Sequence, residues 1–173
     1  MAKTRKRKNP GDVANDFVRC VLSDVSDYFG KFTKMDWFNT AEYFNFKCPY
    51  TGDDISNDFA SEKCVFDHLI PHNKECVGLN LYGNIIVTTN KTNAAKGAKS
   101  FEDFILNCTL GSNEEKYKRI EKIKKFQNDS GYLDIIKKID IDGIREFCKS
   151  EYNFIVERLK NHQLDYSRFK KNE

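Results

Sequence analysis

Asp67 and His68 stand side by side at the end of an apolar run, C-V-F-D-H-L-I, and are the residues best equipped for chemistry. A carboxylate is a hard oxygen ligand suited to Mg²⁺. A neutral imidazole next to it can take a proton from water near neutral pH. Neighbours on a strand point to opposite faces, so both can serve one site only if the strand ends or bends there. Pro71 makes an end at this point reasonable. Three asparagines follow, Asn84, Asn90 and Asn93. If a helix begins near Asn90, Asn93 and Lys96 share one face, one turn apart. An amide oxygen and an ammonium would then face a metal-bound phosphate together. His72 follows in the loop and reads either as a contact at the site edge or as an ordinary exposed loop histidine, the second being the simpler reading.

These residues need elements to position them. Residues 64–70 and 81–89 have strand character, rich in Val, Ile, Phe and Tyr, with turn residues Pro71, His72, Asn73 and Gly78 between them. A helix is expected over 90–98. Ser100 with Asp103 resembles a capping box opening another helix over 101–107. Upstream, Val13, Phe17, Val21, Val25 and Phe29 recur every four residues, the stripe of an amphipathic helix that Gly30 would end. A shorter helix is expected over 36–44, its aromatic residues Trp37, Phe38 and Tyr43 read as core packing. Downstream, Tyr117, Ile120, Ile123 and Phe126 lie at helical spacing, as do Ile144, Phe147, Ile155 and Leu159. The fold class is therefore α+β: a strand–loop–strand–helix core flanked by N-terminal and C-terminal α-helices. Four regions make one compact unit: a basic arm (1–11), an N-terminal helical region (12–46), the core (47–108) and a C-terminal helical region (109–173).

The ordered set D-H-L-I-P, then Asn84 before an apolar strand, then N-A-A-K-G from Asn93, resembles the HNH nuclease family and its ββα-metal fold. The resemblance covers about a third of the chain. C-P-Y-T-G, at 48–52, is similar to the knuckle preceding the first strand in many members. The resemblance implies that His68 is the general base and that Asp67 and Asn93 hold Mg²⁺, for which Mn²⁺ could substitute. Asn84 would orient the loop and hold His68 in place. Asn90 is the rival ligand, set aside because N-x-x-K-G follows Asn93. Many members also bind a structural zinc with two C-x-x-C pairs. Here those positions read Cys48 and Thr51, then Thr89 and Thr92, and hydroxyls are poor zinc ligands, so no structural zinc is expected. An irregular set of Cys48, Cys64, Cys76 and His72 is the alternative.

The implied activity is metal-dependent hydrolysis of phosphodiester bonds in double-stranded DNA. Among HNH proteins, a chain of this size with added helices is most similar to a small Type II restriction endonuclease, acting as a homodimer to cut two strands. Homing or phage-type nucleases share the motif, and a non-catalytic DNA-binding module is the competing class. DNA contacts are expected from Lys91, Lys96 and Lys99 around the catalytic helix, from Arg5 and Arg7 in the basic arm, and from His72 at the site edge.

Composition agrees with a folded chain and narrows its class. Of 173 residues, 39% are hydrophobic and 32% charged, with a net charge of only +3, which excludes a histone-like polycation. Apolar runs fall far short of the roughly 20 residues that span a bilayer, so no membrane partner is expected. The basic start is followed by no apolar stretch, and six irregularly spaced cysteines read as reduced, mostly buried thiols. Both point to a cytoplasmic location.

Overall fold

The computed structural model describes residues 9–161; the basic arm with Arg5 and Arg7, and His162, lie outside the described residues. The fold is α+β and mostly helical, with one two-stranded antiparallel sheet. Helices α1 (Pro10–Gly30), α2 (Lys34–Tyr43) and α3 (Ser56–Ala60) precede strands β1 (Cys64–His68) and β2 (Ile85–Thr89). Then come α4 (Asn90–Lys96), α5 (Phe101–Cys108), α6 (Asn113–Asp129), α7 (Tyr132–Ile136) and α8 (Ile141–Asn161). Cys64 pairs with Thr89 and His68 with Ile85, and α4, which follows β2 without a break, packs against both strands.

Local chemistry sets most helix starts. Asn9 with Asp12, Thr33 with Asp36, and Ser112 with Glu115 form capping boxes on α1, α2 and α6. On α5 only half of the expected box forms: the Ser100 hydroxyl accepts from the Asp103 amide. Helix α4 stops at Lys96, two residues before the expected end, because Gly97 takes φ +54°.

Both strands are shorter than their apolar runs. Residues 69–84 instead form a loop closed by Asn84, which is fully buried. Its Oδ1 accepts from the Ile70 amide at 2.8 Å, and its Nδ2 donates to the carbonyls of Ile70 and Leu79. The loop depends on close backbone approach at Gly78, where a Cβ would lie 1.8 Å from the Ile70 carbonyl oxygen. Val77 beside it adopts φ +55°, a costly conformation for a β-branched residue, held by burial and by the hydrogen bond its amide donates to the Asn73 carbonyl.

Two apolar cores flank this loop. One gathers Tyr50, Leu69, Ile86, Val87, Phe104, Ile123 and Phe126 from the sheet, the start of the loop, α5, α6 and the 48–52 turn. The other gathers Val18, Leu22, Val77, Leu79, Tyr132 and Cys148 from α1, the loop, α7 and α8. The buried line of α1 is Ala14, Val18, Leu22 and Ser26. The expected stripe lies one residue round from it: Val13 and Phe17 are exposed and Val21, Val25 and Phe29 half-buried. Ser26 donates to Leu22 O while accepting the Asn80 amide at 2.8 Å, which brings the loop backbone onto this face of α1. On α6, Ile120, Ile123 and Phe126 are buried as their spacing predicts, while Tyr117 is exposed. On α8, Phe147, Phe154 and Leu159 are exposed and Cys148 takes the inner position. The six cysteines are unbridged, but only Cys48 and Cys148 are buried; Cys20, Cys76 and Cys108 are exposed, contrary to expectation.

Candidate active site

Asp67, His68, Asn93 and Lys96 line one cleft of about 550 Å³ with His72, Asn80, Phe66 and, from α1, Arg19 and Ser23. The strand-face difficulty is resolved because β1 ends at His68, where the Asn84-closed loop turns away. Residues from β1, the loop, α4 and α1 therefore meet at the seam of the two cores.

Asp67 is buried, and its Oδ2 is fixed from two sides. The Tyr50 hydroxyl donates to it at 2.6 Å and the Lys96 ammonium lies at 3.0 Å. Burial, then the adjacent Asp67 carboxylate, hold the Tyr50 hydroxyl well above its ordinary pKa, so it stays a donor. Asp67 Oδ1 carries no hydrogen bond to any described residue. Lys96 has none of its side chain exposed and also donates to the His68 carbonyl at 2.9 Å. It therefore forms the floor of the cleft and does not reach outward to a DNA backbone, because its charge is committed to Asp67. Asn93 Nδ2 reaches the Phe66 carbonyl at 3.4 Å, so Oδ1 is not used in that bond. Lys91 and Lys99 are exposed on and just beyond α4.

His68 is oriented by a residue the motif does not contain. Its Nε2 lies 2.6 Å from Asn80 Oδ1, while Asn80 Nδ2 donates to Ser23 of α1. An amide oxygen at this distance requires a proton on Nε2, so Nδ1 keeps its lone pair. Burial chiefly, with the charges of His72 and Lys96 adding to it and Asn80 and Asp67 opposing, lowers the His68 pKa from 6.5 to about 4. His68 is thus neutral throughout the physiological range. His72 stacks on it, ring centroids 4.9 Å apart, with its own nitrogens facing the carbonyls of Gly78 and Arg19. It is a half-buried wall of the cleft and no free loop histidine. Asn84 steadies the loop but does not touch His68; it is a positioning residue.

The signals for the two missed residues were faint. Tyr50 sits in C-P-Y-T-G and Asn80 in G-L-N-L, and nothing in their spacing ties them to Asp67 or His68. Among the described residues, no group of three or more His, Cys, Asp or Glu side chains is placed to hold a metal ion, so Cys48, Cys64, Cys76 and His72 do not converge. Instead Cys48 Sγ lies 3.2 Å from the Thr88 hydroxyl, tying the 48–52 turn to β2, and Thr89 caps α4 beside Thr92. The carboxylate and amide oxygens of Asp67 and Asn93 do suit Mg²⁺, which needs few protein ligands and keeps several waters. No helix among the described residues is long and apolar enough to cross a membrane. Comparison with protein-family models, curated proteins and solved structures gives no match to this chain.

Proposed function

We propose that the chain is an HNH-type DNA endonuclease of ββα-metal fold, hydrolysing phosphodiester bonds in double-stranded DNA, with the habit of a Type II restriction enzyme. The observation that carries this reading is one cleft lined by an imidazole held with Nδ1 unprotonated, a clamped carboxylate and an amide oxygen. His68 Nδ1 takes a proton from the attacking water as its oxygen bonds to phosphorus. The bond to the 3′ oxygen breaks, and that oxygen takes a proton from a solvent water, leaving a 3′-hydroxyl and a 5′-phosphate. Asn80 holds the imidazole and accepts from its Nε2–H as positive charge develops on the ring. Tyr50 and Lys96 hold Asp67 so that Oδ1, with Asn93 Oδ1, faces the cleft. A Mg²⁺ ion bound there would stabilise charge on the phosphate and the departing oxygen. Lys91 and Lys99, exposed on and just beyond α4, suit phosphate contacts.

Two strands need two cuts, and a homodimer supplies them. Phe147, Phe154 and Leu159 on α8 and Val13 and Phe17 on α1 are exposed apolar side chains that a second copy of this chain would cover. Sizing the protein with a short duplex should give two chains per duplex.

The deciding experiment is incubation of plasmid or phage DNA with purified protein and Mg²⁺, read on a gel. Discrete bands, abolished by EDTA, are expected. A smear would replace the restriction reading with a non-specific nuclease. Intact DNA that nonetheless binds the protein would leave a non-catalytic DNA-binding module.

A further inference from the structure

An unbroken file of rings runs out of the cleft from the base. His72 stacks on His68; His68 meets Phe66 edge-on at 5.9 Å; Phe66 meets Trp37 edge-on at 6.4 Å; Trp37 stacks on Phe59 at 5.9 Å. Phe66 is 53% exposed and lies two residues before His68 on β1, so its ring stands on the same face of the strand as the base. Beyond it, Trp37, Phe38, Phe59 and Met35 line an open hollow of about 530 Å³. Solvent gains nothing from a half-bare phenyl ring beside a polar cleft, whereas a nucleobase does, since every base has an apolar π face.

We infer that Phe66, backed by Trp37, is a stacking platform for a nucleobase unstacked from the DNA strand being cut. The inference rests on the nuclease reading and deepens it. The platform adjoins the imidazole that would face the scissile phosphate, so its occupant is the nucleotide next to that phosphate. In an intact duplex each base face is covered by its neighbours, and the outer surface offers only phosphate and sugar, which rings do not complement. A base reaches Phe66 only by leaving the stack, at a cost that is least where the base is unpaired. Paired duplex is therefore cut at the cost of unstacking that base, and DNA already unpaired or distorted at the cut binds more tightly.

Trp37 is the only tryptophan in the chain, so its emission reports directly on this surface. The test titrates protein in EDTA, where no strand is cut, with a short duplex, the same duplex with a central mismatched bubble, and its single strand. The bubble should quench Trp37 and bind about tenfold more tightly than the paired duplex, the usual scale of one base stacked on an aromatic ring. Phe66→Leu should melt like the parent, because its ring is half exposed, and should lose that preference. Phe66→Tyr, which keeps a ring, should retain it. Equal binding of all three DNAs, or a preference surviving in Phe66→Leu, overturns the platform while the nuclease reading stands. Absence of binding and of Mg²⁺-dependent cleavage on every DNA removes the nuclease reading itself. Trp37 emission that changes with protein concentration alone, with self-association lost in Phe66→Leu, would assign the face to a second copy and overturn the inference.

Discussion

Replacing Lys96 with Met separates a buried structural cation from a DNA contact, two roles with opposite signatures. The ammonium lies 3.0 Å from Asp67 Oδ2, with none of the lysine side chain and 10% of the aspartate side chain exposed. At that distance and an effective dielectric of about 20, the attraction is on the order of 5 kcal/mol before desolvation is charged against it. Methionine keeps the apolar stem but leaves the Asp67 charge with the Tyr50 hydroxyl as its one remaining hydrogen-bond partner among the described residues. Removing one member of a buried pair typically costs about 3–5 kcal/mol. For a chain of this size that lowers the melting temperature by roughly 6–20 °C. Thermal and urea unfolding of parent, Lys96→Met and the double variant Lys96→Met/Asp67→Asn would measure it. The double variant should regain part of the loss, because neither charge is then stranded. A phosphate contact predicts the reverse: a parental melt, with weaker DNA binding and a salt slope reduced by about one. That second result would refute the placement of Lys96 as the clamp on Asp67.

His68→Ala should fold, bind DNA as the parent does, and cleave about 10²–10⁴-fold more slowly, the usual worth of a positioned base; parental cleavage by a well-folded variant would remove His68 from the mechanism. In metal-free protein, His68 should also shape acid stability. Its pKa falls from 6.5 to about 4 on folding, chiefly through burial, so between those values the unfolded chain holds a proton that the folded one lacks. Stability should therefore drop as pH falls through this window, by up to about 3 kcal/mol from this group, and be unaffected by it above. Urea unfolding in EDTA against pH should be flatter for His68→Gln than for the parent.

Local sequence patterns determined much of this protein. Capping residues fixed helix starts at Asn9, Thr33 and Ser112, and the apolar runs around Asp67 and Ile86 marked the two strands. The order Asp67, His68, Asn84, Asn93 reads along the chain, and the fold brings Asp67, His68 and Asn93 to one cleft while Asn84 closes the loop behind it. Periodicity placed α1 but misassigned its inner line. Burial there is settled by tertiary contact: Ser26 takes the Asn80 amide of the loop, and Val18 and Leu22 meet the second core, leaving the stripe beside them half-buried or exposed. Only tertiary structure decided the partners of the reactive groups. Tyr50 reaches Asp67 across 17 positions, and Asn80 is braced by Ser23 across 57, distances at which no spacing rule operates. Lys96 shows the same limit most plainly. A lysine on a helix reads as a solvated charge, and only the packing of α4 against the sheet, beside a carboxylate that needs neutralising, turns it inward.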